Sequence, residues 1–283
     1  MRPIRFVKYY EKASTVLGGD QIAEELARRG FDSRSIPVAE LDGVRNSILV
    51  FVKTSRLDHL LGARLRGNLT VLDVQDTPVF KRRLKNGGLF DGAIFRNRRQ
   101  VEDLARRSWC SEVIPLQWDP RYRPNQVPAG EFRAVYLGDR RSLAFFDELP
   151  GVECVENDLF ARAPAFNCQL SVRQPGREFL YKPGVKVSTA AACRAALVTT
   201  ADVTAVELLG EGYPFYCGSD RDSVVAALER ARQSLGGPLW DAALERLEAV
   251  RERTRLERVV DDHLAFFARL EAEAGRGTGR RLG

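Results

Sequence analysis

Residues 116–130 read LQWDPRYRPNQVPAG, three prolines and no apolar periodicity, which is the texture of a linker rather than of a strand or helix. The flanks decide the fold. Upstream, short β-branched runs predict strands at Ile4–Tyr9, Ser33–Val38, Ser47–Val52, Leu69–Leu72, Gly92–Phe95 and Glu112–Pro115. Helical stretches at Asp20–Arg29, Leu57–Arg66, Phe80–Leu84 and Gln100–Arg107 separate them. Ser47–Val52 is continuously apolar, as a strand covered on both faces should be. Downstream the pattern restarts, with strands expected at Phe132–Leu137, Val152–Val155, Asn167–Val172, Ala196–Thr199 and Pro214–Cys217, and a helix at Arg141–Glu148. Helices at Ser223–Leu235, Leu239–Arg253 and Arg255–Glu271 close the chain. Such alternation predicts parallel sheets with crossover helices, an α/β fold. The expected division is a domain at 1–116, a linker at 117–130, a second domain at 131–254, a helix at 255–272 and a disordered basic tail at 273–283. Each domain would bind ligand where loops leave the carboxyl ends of its strands.

Composition agrees with two domains. The chain has 283 residues, 44% hydrophobic and 29% charged, against about 150 residues per domain. That excludes a wholly disordered, fibrous or disulfide-stapled chain. Lys and Arg number 44 against 38 Asp and Glu, a net +6. This excess is weaker than a dedicated nucleic-acid binder carries, so no nucleic-acid partner is expected. It suits phosphorylated ligands or an anionic surface. The five cysteines form no CxxC pair and there are only two histidines, so no metal site is expected and the thiols read as buried and free. No apolar run reaches the ~20 residues of a membrane span. The opening MRPIRFVKYY has no apolar signal-peptide core, and a cytoplasmic location is expected.

Two stretches stand out chemically. Gly18-Gly19 follows the first strand and precedes a helix, where glycines let backbone approach an anion or simply make a tight turn. The spacing is not GxGxxG, and no GKS or GKT occurs, which argues against a dinucleotide oxidoreductase or a P-loop kinase. The second stretch, residues 179–217, reads FLYKPGVKVSTAAACRAALVTTADVTAVELLGEGYPFYC. Lys182 and Lys186 lead a helix of small residues expected at Thr189–Ala195. A buried strand follows, then a helix starting at Ala201-Asp202 that carries Glu207. Ser188, Thr189 and the helix-start amides could meet a phosphate that the lysines neutralise; the alternative is a packing helix with solvated lysines.

Three segments in this order, GGDQIAEELARRGFDSRSIPV, VIPLQWDPRYRP and KPGVKVSTAAACRAALVTTADVTAVELL, resemble glycosyltransferases of the two-Rossmann-domain (GT-B) type, close in layout to the retaining families that use nucleotide sugars. The resemblance implies two Rossmann-like domains facing a cleft, with a C-terminal helix crossing back to the first. It implies no cofactor beyond a nucleotide-sugar substrate, no obligatory metal, and a saccharide or lipid-linked acceptor. By the same resemblance Glu207 hydrogen-bonds the nucleotide ribose, and Gly18, Gly19, Arg140, Lys182, Lys186, Ser188 and Thr189 line the donor. Lys186 would act catalytically on the leaving diphosphate. The family carries a further glutamate where this chain has Thr189, with Arg194 and Ala196 at its glycine and proline positions. Its first-domain histidine has no counterpart, and His59 reads as a surface or packing residue.

Asp73 and Asp76 stand at the end of the fourth strand, where they could position an acceptor hydroxyl or cap the next helix; Asp76 is the second catalytic candidate. Lys81, Arg82, Arg83 and Lys85, interleaved with Phe80 and Leu84, form either a solvated basic face or a contact with an anionic membrane. The expected activity is sugar transfer in polysaccharide or glycoconjugate biosynthesis. The alternative is a noncatalytic nucleotide-sugar-binding or partner protein of the same fold.

Overall fold

A computed structural model describes residues 1–75 and 88–279, except the side chains of 177–178 and 277–279. Asp76, Lys81, Arg82, Arg83, Lys85, the helix expected at Phe80–Leu84, and Arg280 and Arg281 lie outside the described residues. The chain divides into two compact units: Met1–Leu116 with Tyr181–Pro183 and Leu256–Gly283, and Gln117–Leu180 with Gly184–Arg255.

The first unit is a six-stranded sheet in the order β2-β1-β3-β4-β5-β6, with β1 Ile4–Lys8, β2 Ser33–Pro37, β3 Ile48–Val52, β4 Leu69–Asp73, β5 Gly92–Phe95 and β6 Cys110–Val113. Every pairing is parallel. Helical turns α1 (Ala13–Thr15) and Val16–Asp20 run straight into α2 (Gln21–Arg28). Helices α3 (Leu57–Leu65) and α4 (Arg98–Leu104) lie in the β3–β4 and β5–β6 crossovers. One core joins Ile22 and Leu26 of α2 to the sheet; the other gathers Leu60, Ala63 and Trp109 on a second cluster of strand residues. A sheet wrapped this way leaves no solvated face, which is why ILVFV of β3 is buried throughout.

The second unit is a five-stranded parallel sheet in the order β11-β10-β9-β7-β8. Its strands are β7 Ala134–Leu137, β8 Val152–Val155, β9 Cys168–Ser171, β10 Ala196–Thr200 and β11 Tyr216–Cys217. Its helices are α5 Leu159–Arg162, α6 Arg177–Tyr181, α7 Val185–Ala192, α8 Val203–Leu209, α9 Arg221–Gln233 and α10 Pro238–Arg253, with the end of α6 grouped with the first unit. The last helix, α11 (Leu256–Gly279), belongs to the first unit, where Phe266 and Phe267 are fully buried. Each such ring contributes roughly 1.5–3 kcal/mol.

Several local expectations change. Residues 117–130 are stitched to the second unit: Trp118 N–H donates to the Thr254 carbonyl at 3.1 Å, and Asn125 and Gln126 N–H donate to Cys193 and Pro164 carbonyls at 2.7 Å. The helix expected at 141–148 is two 3-10 turns, Arg140–Ser142 and Phe146–Glu148, because the Asp139 carboxylate takes the Arg141 N–H at 3.0 Å and tightens the chain. Residues 273–279 continue α11 where a tail is expected, with Ala274 packed on the core. Among the described residues no helix is long and apolar enough to cross a membrane.

Candidate functional site

In the second unit the strand order reverses between β7 and β9, so the loops that leave their carboxyl ends part to either side and open a crevice. Lys186 reaches this point. Its helix begins one turn earlier than expected, after Pro183-Gly184, and Lys186 is its second residue. Gly184 is required there by close approach: a Cβ would sit 2.6 Å from Leu208 Cδ1 and 3.0 Å from Thr204 Cγ2. The start of α7 is thereby seated against α8, with Glu207 between those two contact residues. The shift also corrects the expected donors. Ser188 N–H is spent inside the helix, on the Gly184 carbonyl at 3.0 Å, so the outward amides of α7 are those of Val185, Lys186 and Val187.

The Lys186 Nζ lies 3.9 Å from the centroid of the Tyr136 ring and 3.8 Å from where a Gly138 side chain would begin. Cys154 donates its thiol to the Gly138 carbonyl at 3.6 Å. Burial pushes that thiol up, and the charges of Arg140 and Lys186 oppose the shift. Arg140 pairs with Asp147 and covers the Phe146 ring at 5.4 Å, while its N–H donates to Glu156 at 2.7 Å. Lys186 and Gly138 therefore meet at the carboxyl end of β7, and Arg140 follows in the turn at Arg140–Ser142.

Arg173, two residues past β9, is a part-buried cation at the same edge of the sheet that the sequence reading does not single out. It pairs at 3.2 Å with Asp202, which caps α8 through the Ala205 N–H at 2.9 Å. Burial raises the Asp202 carboxyl, and the Arg173 guanidinium opposes this. The available signal was an arginine directly beyond a strand's carboxyl end. Thr189 turns elsewhere: it is buried beside Tyr122, whose hydroxyl burial pushes up to about 12. Lys182 is grouped with the first unit and Lys186 with the second.

In the first unit the reversal falls between β1 and β3. Tyr9, just beyond β1, is hydrogen-bonded to His59 Nδ1 on α3 at 2.7 Å, and Arg56 N–H donates to the same hydroxyl at 3.1 Å. His59 is thus held at the mouth of the sheet. Asp73, the last residue of β4, is fully buried and ion-paired with Arg96. It also accepts from Gln75 Nε2 at 2.6 Å, and Arg96 donates to the Ile114 carbonyl at 2.8 Å. The Asp73 carboxylate is thus engaged by Arg96 and Gln75. Gly18 and Gly19 sit inside the Val16–Asp20 helical turn rather than ahead of a helix. A Cβ at Gly18 would overlap the Gln75 carboxamide and lie 2.7 Å from Asp73 Oδ2. Among the described residues no three His, Cys, Asp or Glu side chains gather as a metal would need.

No family model matches the chain, and no curated protein matches it by sequence. Solved structures match it by shape. A glycosyltransferase from Rickettsia africae superposes with a TM-score of 0.66 at 11% identity, covering 95% of this chain and 98% of that one. Anabaena HepE, in complex with UDP and glucose, gives 0.67 at 9% identity over 95% and 100%. Sucrose-phosphate synthase from Thermosynechococcus elongatus gives 0.64 at 11% over 96% and 100%. Two parallel-sheet α/β domains in this order are the GT-B fold of those glycosyltransferases, and this chain has it.

Proposed function

We propose that the protein transfers a sugar from a nucleotide-sugar donor to an acceptor hydroxyl, in polysaccharide or glycoconjugate biosynthesis. The observation that carries this reading is the Lys186 ammonium held beside Tyr136 and Gly138, at the reversal point of a sheet whose fold HepE shares with UDP and glucose bound. Breaking a sugar–phosphate bond leaves charge on the departing diphosphate. Cations and helix-start amides held in place stabilise that charge as it develops. Lys186 with the first amides of α7 takes the phosphates in this reading, Arg140 and Arg173 stand alongside, and Glu207 accepts a ribose hydroxyl. Metal independence, retention at the anomeric carbon and a cytoplasmic location belong to the same proposal. So do Gly18, Gly19, Ser188 and Lys182 as donor neighbours, and a saccharide or lipid-linked acceptor on the first unit.

A noncatalytic nucleotide-sugar-binding role is the second reading. It is favoured by Thr189, which is buried beside Tyr122 rather than presented in the place of a sugar-binding glutamate. Thermal shift across common nucleotide sugars, followed by assay of nucleoside diphosphate release, separates the two. Release with a stabilising donor supports transfer, stabilisation alone supports binding, and neither response rejects both.

A further inference from the structure

Helix α8, which carries Glu207, has only seven residues. A helix this short does not hold its own place, so its cap and its packing must fix it. The cap is Asp202, whose carboxylate accepts the Ala205 N–H at 2.9 Å. That side chain is 2% exposed, and Arg173, its ion-pair partner at 3.2 Å, is 10% exposed. A carboxylate so far from water is costly unless a cation answers it. Arg173 is in turn anchored by its backbone, where its N–H donates to Thr200 Oγ1 at 3.2 Å. Thr200 ends β10 and is itself buried. The loop leaving β9, the end of β10 and the start of α8 are thereby tied at one point on the carboxyl edge of the second sheet.

We propose that Arg173 is a positioning residue for the nucleotide, acting through Asp202 and α8 on Glu207. It rests on the reading of Glu207 as the acceptor of a ribose hydroxyl, and names what holds Glu207 there. Exposure decides between direct and indirect action. A guanidinium so largely covered, and turned onto a carboxylate, offers a phosphate little surface. Its charge is what lets Asp202 stay ionised as the cap. Without it, Asp202 takes up a proton or turns towards water, and either change weakens the hydrogen bond from Ala205. The first turn of α8 then loosens, and a glutamate on so short a helix loses its fixed distance to the ribose. Lys186 stands on α7 and keeps its own place beside Tyr136 and Gly138. The phosphates should therefore not feel the change.

The test is calorimetry of the full chain with inorganic pyrophosphate and with UDP, dTDP, ADP, GDP and CDP, the tightest nucleotide being carried forward. The variants are Arg173→Met, which keeps an unbranched stem and removes the charge, Glu207→Ala, and both together. Arg173→Met should weaken the nucleotide by about tenfold, the scale of one charged hydrogen bond, and leave pyrophosphate unchanged. Glu207→Ala should lose a similar factor, and the double variant should lose no more than either alone. Arg173→Lys restores a cation without the planar fork and should recover part of the loss. If Arg173→Met fails to fold, Asp202→Asn keeps a capping oxygen without the charge and should show the same selective loss, again not multiplied by Glu207→Ala. Unchanged nucleotide affinity, equal losses of nucleotide and pyrophosphate, or losses that multiply in the double variant overturn the proposal. A wild type that binds none of these nucleotides removes the sugar-transfer reading and this proposal with it. Binding by the wild type with multiplying losses removes this proposal alone.

Discussion

The ammonium of Lys186 rests over the face of Tyr136, 3.9 Å from the ring centre. Tyr136 is itself buried in the sheet. A lysine seated on an aromatic face is partly desolvated and fixed in direction. In the proposed transfer it would meet the diphosphate with less side-chain ordering than a solvated lysine needs.

Lys186→Ala should therefore lower turnover by about a hundredfold, the usual loss for one leaving-group contact, and should weaken nucleoside monophosphate affinity much less. Tyr136→Phe keeps the ring and should stay near wild type, whereas Tyr136→Leu should lose turnover with little change in monophosphate binding. Steady-state rates and calorimetry on the three variants decide this. Equal loss in both quantities would make Lys186 a structural support.

The two neighbouring glycines should behave differently. At Gly19 a Cβ would meet Val52 Cγ2 at 3.5 Å, an ordinary contact, so Gly19→Ala should be neutral or stabilise by up to about 1 kcal/mol through helix propensity. Gly18→Ala drives into Gln75 and Asp73 and should cost about 1–3 kcal/mol, the range for overpacking. Urea unfolding of both variants checks the contrast.

Asp73 and Arg96 form a fully buried ion pair. Asp73→Ala leaves an uncompensated guanidinium and should cost about 3–5 kcal/mol. Replacing both, as Asp73→Leu with Arg96→Met, should recover most of that loss. A double variant no more stable than Asp73→Ala would show that the pair contributes beyond its own charge balance.

His263 gives the fold an acid limit. Burial pushes its imidazole down to about 3 from an ordinary 6.5, with Nδ1 on the Val259 carbonyl at 2.7 Å. The folded protein keeps it neutral while the unfolded chain takes up a proton near 6.5, so acidification favours unfolding. Its contribution is intact above about pH 6.5 and falls by about 1.4 kcal/mol per pH unit towards pH 3. His263→Phe should remove that slope; unfolding free energies measured at several pH values would show it, and an unchanged slope would clear His263.

The sheets were readable because Ile48–Val52 and Ala196–Thr200 are apolar enough to be buried on both faces and because prolines mark the break at 116–130. What escaped depends on pairs far apart in the chain. The early start of α7 follows from Gly184 meeting Leu208 on another helix. Arg173 and Asp202 belong to different loops, and Tyr9 and His59 to different crossovers. The absence of a side chain at Gly18 also makes room for Gln75, 57 residues further along the chain. Residue type alone could not separate this use of a glycine from approach by a ligand.

The most direct test of the account is nucleoside diphosphate release from a panel of nucleotide sugars, by wild type and by Lys186→Ala. At least one donor should be turned over by the wild type, and about a hundredfold more slowly by the variant. Turnover of no donor, or equal rates for the two proteins, would contradict it.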